Sequence, residues 1–252
     1  EFCDMYEEFS LPFWFNTRTE SCEPDILARL KEVGCYRISF GIECGNEQFR
    51  QQVLRRKISN TELIHRFEII ADSGIAFSLN VIIGMPGETR ELVMDTVRLV
   101  RSVKGYDALS VSVFTPYHGT ILRDVAVKNN WMHPDAVTTH TTAHSLLNMP
   151  SPYLTADEID GLSYCFPFYT YFPETEWEQI RRAEKSDKEG LRIRQEFSLI
   201  YSEKFLGGDQ STKKELIVEG AGGCRTNAKD AFQISPARLD DSDVETLTIS
   251  DV

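Results

Sequence analysis

Strands and helices alternate along the first half of this chain, and no other feature limits its fold so strongly. Residues 11–15 form a short apolar run, followed by the polar stretch 16–20. Pro24 then opens a helix with Ile26, Leu27, Leu30 and Val33 at helical spacing, and Gly34 stands where that helix must stop. Tyr36, Ile38, Phe40 and Ile42 recur at every second position, the period of a strand. Ser59 and Glu62 have the spacing of a capping box, ahead of a stripe of Leu63, Ile64, Phe67, Ile70 and Ala71 that Gly74 ends. Residues 75–83 read as the next strand. A helix starting at Glu88 or Thr89 follows, with Leu92, Val93, Val97, Val100 and Val103 on one side and Gly105 at its end. Residues 108–114 are the fourth strand. This alternation predicts parallel strands joined by right-handed crossovers, hence an α/β fold. Four such strands do not close a barrel, and as an open sheet they leave one face uncovered, so further strands are expected upstream.

Beyond residue 130 the pattern changes. Residues 133–152 are polar and without period. Residues 154–172 are rich in aromatics, and 176–205 read as one long charged helix packing through Trp177, Ile180, Leu191, Ile193 and Phe197. From 206 onward Gly, Ser, Thr and Asp dominate, and the last fourteen residues hold five acids and no Lys or Arg. Such a composition buries too little apolar surface to offset chain entropy. Three parts are therefore expected: a strand–helix part over 1–135, a mostly helical extension over 136–205, and a disordered acidic tail over 206–252.

Charge and cysteine usage narrow the class. Lys plus Arg number 27 against 39 for Asp plus Glu, a net charge of -12, which disfavours nucleic acid as the main partner. The longest apolar run, 75–83, is broken by Ser78 and Asn80 and falls short of the ~20 residues of a membrane span. No leader pattern opens the chain, which starts on Glu1 in mid-pattern, as a piece of a longer protein would. Cys3, Cys22, Cys35, Cys44, Cys165 and Cys224 are irregularly spaced, with no Cys-x2-Cys or Cys-x3-Cys pair. A disulfide framework, a zinc ribbon and a local iron–sulfur loop all lack support, and a reduced, cytoplasmic setting is expected. Cys35 and Cys44 fall at opposite ends of one strand, roughly 30 Å apart at ~3.3 Å per residue. His140 and His144 have i, i+4 spacing without a helical pattern around them, and His133 stands apart, so no metal site is expected.

Sites in parallel α/β folds form at the carboxyl ends of strands. Here those ends are Asn16-Thr17-Arg18, Gly41-Ile42-Glu43-Cys44-Gly45, Ile83-Gly84-Met85-Pro86-Gly87-Glu88-Thr89, and Phe114-Thr115-Pro116-Tyr117-His118-Gly119-Thr120. Asn80, polar within an apolar strand, needs a partner, since burying it unpaired costs ~1–3 kcal/mol. No phosphate-binding loop or dinucleotide fingerprint is present.

Taken in order, the runs RISFGIECGNEQFRQQVLRRKIS, IAFSLNVIIGMPGETREL and SVFTPYHGT resemble the radical SAM superfamily. More narrowly, they resemble its branch that usually carries an amino-terminal cobalamin-binding domain. The likeness covers residues 1–135, and PFYTYFPETEWEQIRRAE resembles that branch's carboxyl extension. The resemblance implies a partial (β/α)6 barrel, of which this chain supplies the third to sixth strands. It implies a [4Fe–4S] cluster on a Cys-x3-Cys-x2-Cys loop upstream of Glu1, and reductive cleavage of S-adenosylmethionine to methionine and a 5′-deoxyadenosyl radical.

Site roles follow from the same likeness. Glu43 faces the nucleoside and methionine portion of S-adenosylmethionine, although a plain loop carboxylate is the alternative. Arg56 pairs with its carboxylate through two parallel charge-assisted bonds, with Arg55 the adjacent competitor. Asn80 faces the ribose or else bonds a neighbouring inward side chain. The turn holding Gly84 and Pro86 admits the adenine, and Ile82 or Ile83 forms an apolar wall. Cys44 stands where the family usually has Ser. Asn16 and Arg18 line the mouth, and Tyr117 and His118 are placed to touch substrate or cobalamin. Pro116, Gly119 and Thr120 match a Pro-x-x-Gly-Thr segment or serve as a rigid turn. The function implied is a radical enzyme, or a methyl transferase acting through cobalamin, on an unknown small-molecule or other substrate. This chain alone would be inactive. The alternative is a binding or structural module without a cluster.

Overall fold

The computed structural model describes residues 1–9, 11–138 and 144–205. The expected acidic tail, Cys224 and His140 lie outside the described residues. In chain order the elements are α1 (Phe2–Tyr6), β1 (Phe13–Thr17), α2 (Pro24–Glu32), β2 (Cys35–Glu43), α3 (Glu47–Leu54), α4 (Asn60–Asp72), β3 (Ala76–Ile83), α5 (Arg90–Ser102), β4 (Ala108–Val113), α6 (Ile121–Lys128), α7 (Ala156–Tyr171), α8 (Trp177–Ala183) and α9 (Lys188–Phe205). The four strands form one sheet in the order β1-β2-β3-β4. β1 pairs with β2, and β2 with β3, in parallel. β4 runs the same way, with the Asp107 N–H donating to the Phe77 carbonyl (3.0 Å) and the Phe114 N–H to that of Ile83 (2.8 Å). The α/β architecture with a helical carboxyl-terminal part is as the alternation predicts.

The period-2 pattern separates the two faces of the sheet. Ile38, Phe40, Ile42, Phe77, Leu79 and Val81 are buried on one face. There Phe67 of α4 stacks on Phe77 (5.7 Å) and meets Phe40 edge-on (5.6 Å). Each such ring, fully buried, contributes ~1.5–3 kcal/mol. The other face carries Arg37, Ser39, Gly41, Ser78, Asn80 and Ile82. Register aligns Ser39 with Ser78 and Gly41 with Asn80, while a bulge between Gly41 and Glu43 shifts the strand end.

Several local expectations need correction. β1 starts at Phe13, not at 11, and includes Asn16 and Thr17. Pairing decides this, since the Phe13 N–H donates to the Gly34 carbonyl (3.1 Å) and Asn16 registers with Ser39. Ile26 and Tyr36 are exposed rather than packed. Ser59 accepts the Glu62 N–H (3.1 Å), but Glu62 turns to Arg66 (2.7 Å), so only half a capping box forms. α3, between β2 and α4, has no counterpart among the predicted elements; Asn46 caps it by accepting the Phe49 N–H at 2.9 Å. α5 starts at Arg90, because Glu88 is held within the preceding turn. The expected long helix over 176–205 is broken into a 3-10 turn (Glu174–Glu176), α8 and α9. Asp187 starts α9 afresh by accepting from the Gly190 N–H (2.9 Å) and from Arg182 (2.7 Å).

Two compact units are resolved. One comprises Glu1–Ile82 with Arg90–Ser110; the other gathers Ile83–Thr89 with the chain from Val111 on. In the second, Thr155 and Glu158 form a complete capping box at the start of α7. Phe168 and Phe172 of α7 pack on Phe197 of α9 (5.7 and 4.8 Å between ring centres). The Tyr169 hydroxyl donates to the buried Glu184 carboxylate.

Candidate functional site

Arg56 is turned inward by the way α3 ends. Arg55, the residue after that helix, takes a left-handed conformation (φ 57°) and is exposed, which reverses the chain. Arg50, fully buried, braces the loops on either side. It donates to the carbonyls of Cys44 (2.7 Å) and Ile58 (2.8 Å) and to the Asn60 side-chain oxygen (2.8 Å). The Arg56 guanidinium is then fixed by Nη1, which donates to the Gly41 carbonyl at 2.7 Å. Its Nε and Nη2 are buried and have no hydrogen-bond acceptor among the described residues. Glu20 Oε2 lies 3.5 Å from Nη2, an ion-pair distance too long for a good hydrogen bond. Of the two competing arginines, the one that faces the strand end is Arg56.

Glu43 ends β2 with φ 64°, a left-handed conformation unfavourable for a residue with a side chain. Its carboxyl folds back over Gly41. A Cβ on Gly41 would collide with Glu43 Oε1 and lie 3.0 Å from its Cδ, so the glycine makes room for the carboxylate. Burial pushes the Glu43 carboxyl above its ordinary range, against the pull of Arg56 and Arg18. No side chain among the described residues hydrogen-bonds this carboxyl. Beside it in register, Asn80 is half-buried and also takes no side-chain partner. The inward pair expected as its alternative is made one step earlier, by the hydroxyls of Ser39 and Ser78 at 2.6 Å. Ile82 lies half-buried on the Asn80 face, whereas Ile83 is fully buried. Of the two, Ile82 is the one that keeps part of its side chain accessible. Arg18 and Asn16 are exposed at the end of β1. Cys44 is fully buried, its Sγ 4.0 Å from the Asn46 carbonyl.

Gly84 and Pro86 belong to the second unit, where both are buried. Gly84 has φ 80°, and a Cβ there would come within 2.7 Å of Ile159 Cγ2. Within this unit the space at Gly84 is filled by α7. Glu88 closes the same turn, accepting from the N–H groups of Gly84 (2.6 Å) and Met85 (3.2 Å). Its Oε1 is buried without a partner among the described residues, and burial pushes its carboxyl up to about 8. The segment 116–120 acts as a turn, with Thr120 Oγ1 donating to the Tyr117 carbonyl (2.7 Å) and Arg123 donating to that of Pro116 (2.9 Å). Tyr117 and His118 are exposed. His144 pairs with Asp160 at 2.8 Å, and His133 is exposed beside Asp135.

Two groups can be tested against these residues. A carboxylate-bearing nucleoside fits the first unit, which offers a buried cation with two nitrogens lacking acceptors among the described residues, a carboxylate at the end of β2 and a half-buried amide on β3. An iron–sulfur cluster does not fit the described cysteines. Cys22, Cys35, Cys44 and Cys165 are buried, and burial raises the Cys22 thiol to about 11 and the Cys35 thiol above its ordinary value. Among the described residues no group of three His, Cys, Asp or Glu side chains could hold a metal ion. No described helix is long and apolar enough to cross a membrane. Sequence reasoning missed Glu20 and the role of Gly41. A charged residue in a polar loop gives no signal, and the need for glycine at 41 shows only once the bulge places Glu43.

Residues 11–100 match the family model described as the Radical SAM superfamily. A methyltransferase of Pyrococcus horikoshii, named as uncharacterized, is 24% identical over 156 residues, 62% of this chain and 33% of its own length. The tRNA-2-methylthio-N(6)-dimethylallyladenosine synthase of a Sulfurihydrogenibium species is 28% identical over 102 residues, 40% of this chain and 23% of its own. The chain therefore spans a third or less of these relatives' length. The solved structure of coproporphyrinogen III oxidase from Escherichia coli, described as a radical SAM enzyme, aligns at 21% identity and a TM-score of 0.38. That alignment covers 42% of this chain and 24% of the oxidase.

Proposed function

We propose, from the Radical SAM superfamily match over residues 11–100, that this chain is part of a radical SAM enzyme and supplies the residues that hold S-adenosylmethionine. The observation that carries this reading is the buried Arg56 guanidinium, anchored to Gly41 by one nitrogen, with two nitrogens lacking acceptors beside the Glu43 carboxylate. Arg56 takes the amino-acid carboxylate, Glu43 and Asn80 take polar groups of the nucleoside, and Ile82 packs against an apolar portion. Gly84 and Pro86 shape the turn after β3. S-adenosylmethionine held there would supply either a 5′-deoxyadenosyl radical, on one-electron reduction with methionine as the co-product, or a methyl group, by displacement at its sulfonium with S-adenosylhomocysteine leaving. In this reading the cluster that delivers the electron is held by cysteines other than those described here, which do not fit one.

The reaction class favoured is methyl or methylthio transfer, which the names of the two relatives support. Cobalamin enters this reading through the sequence resemblance, bound by a segment outside the chain. The substrate is small or macromolecular. The net charge of -12 argues against direct docking of a nucleic-acid backbone on this part of the protein.

Equilibrium dialysis of labelled S-adenosylmethionine tests the site. Arg56→Ala should weaken binding by ~1.5–3 kcal/mol, the range for a hydrogen bond to a charged group. Unchanged affinity in that variant would refute the assignment. A second reading, a binding module without a cluster, is favoured by the burial of four of the five free cysteines described. A Cys-x3-Cys-x2-Cys loop encoded in frame ahead of Glu1 would exclude it.

A further inference from the structure

Glu20 sits on the 3-10 turn Thr19–Ser21 that follows β1. The turn is held by the Ser21 N–H donating to the Arg18 carbonyl (3.2 Å) and the Cys22 N–H to that of Thr19 (3.0 Å). Thr19 is buried, and its hydroxyl donates to Glu20 Oε2 at 3.1 Å. The same oxygen is the one that lies 3.5 Å from Arg56 Nη2.

The two partners differ in freedom. The Arg56 side chain is 6% exposed and tied to Gly41, whereas the Glu20 side chain is 41% exposed. Partial burial works against ionisation of Glu20, but its own backbone N–H, Arg56, the Thr19 hydroxyl and Arg18 outweigh it and hold the carboxyl below its ordinary range. A fixed, buried cation thus faces an ionised carboxylate that solvent can receive, at a spacing that leaves Nε and Nη2 without hydrogen bonds.

We infer that Glu20 is a displaceable counter-ion: it neutralises Arg56 until a ligand carboxylate takes its place, and it swings toward solvent when that happens. This rests on the proposed function, in which Arg56 receives the carboxylate of S-adenosylmethionine. The device selects for ligands that bring a carboxylate able to make two parallel bonds to the guanidinium, which the longer Glu20 contact does not make. A neutral adenine nucleoside gains nothing from displacing Glu20. Arg18, exposed just after β1, adds to the pull that keeps the Glu20 carboxyl ionised.

Equilibrium dialysis on the full 252-residue chain, using S-adenosylmethionine and 5′-methylthioadenosine, tests this; the second probe keeps the nucleoside and lacks the amino acid. Glu20→Gln removes the charge and keeps an acceptor for Thr19. It should tighten S-adenosylmethionine about two- to fivefold, as expected for loss of a part-exposed ion pair. Binding of 5′-methylthioadenosine should not change, and the gain should vanish in an Arg56→Gln background. If Glu20→Gln binds S-adenosylmethionine no better than wild type while Arg56→Gln weakens it, the counter-ion role is wrong and the site assignment stands. Equal tightening of both probes would also overturn it, as general loosening of the turn. Failure of wild type and every variant to bind S-adenosylmethionine would overturn the site assignment and this inference together.

Discussion

Replacing Glu88 by Gln should flatten the pH dependence of stability. Glu88 is fully buried, with Oε2 on two backbone N–H groups and Oε1 without a partner. Burial raises its carboxyl from 4.5 to about 8. The folded protein therefore holds a proton that the unfolded chain releases above pH ~4.5, so stability falls as pH rises from there to about 8 and then levels off. That interval, at ~1.36 kcal/mol per pH unit, gives a ceiling of ~5 kcal/mol; ~3–5 kcal/mol is the expected loss between pH 4 and 9. Glu88→Gln keeps the acceptor for Gly84 and Met85 and removes the titration. Its own amide costs about 1–3 kcal/mol if unpaired, equally at every pH. Urea unfolding across that pH range, with m constant, measures the difference. Parallel wild-type and Gln curves would refute the reasoning and show that Glu88 stays ionised in the fold.

Other substitutions separate site from scaffold. Arg55→Ala should leave S-adenosylmethionine affinity unchanged, because Arg55 is exposed at a helix cap; titration calorimetry checks this. Glu43→Gly should raise stability by ~1 kcal/mol in chemical unfolding, relieving the positive φ, while weakening S-adenosylmethionine binding in dialysis by ~1–3 kcal/mol through loss of one polar contact. Arg50→Met should destabilise by roughly 2–5 kcal/mol in chemical unfolding, since the buried Cys44 and Ile58 carbonyls lose their donors.

Hydropathy period exposes whichever elements bury one face. Leu63, Phe67 and Ile70 locate α4, and the alternation through Ile38, Phe40 and Ile42 locates β2. It fails where hydrogen-bond pairing decides instead. Asn16 and Thr17 are polar yet extend β1, because β2 offers them partners. α9 starts at a cap made by Asp187, which a charged sequence hides among its neighbours. Glu43 and Asn80 stand out in the sequence because each ends or interrupts an apolar strand with a polar group, whereas Arg56, in the loop after α3, is singled out through the family resemblance alone. Glu20 was not legible, because its meaning lies in a contact with a residue 36 positions away. At Gly84, glycine chemistry was legible, but its neighbour Ile159 comes from α7, far along the chain.

The central claim is that the cofactor-holding residues are in this chain and the cluster ligands are not. It is tested most directly by measuring S-adenosylmethionine binding to the chelator-treated chain and again after anaerobic reconstitution with iron and sulfide. One site per chain, with the same affinity in both preparations and no stoichiometric four-iron centre, is the expected result. Binding that appears only on reconstitution, and is lost with Cys35→Ser or Cys44→Ser, would contradict it.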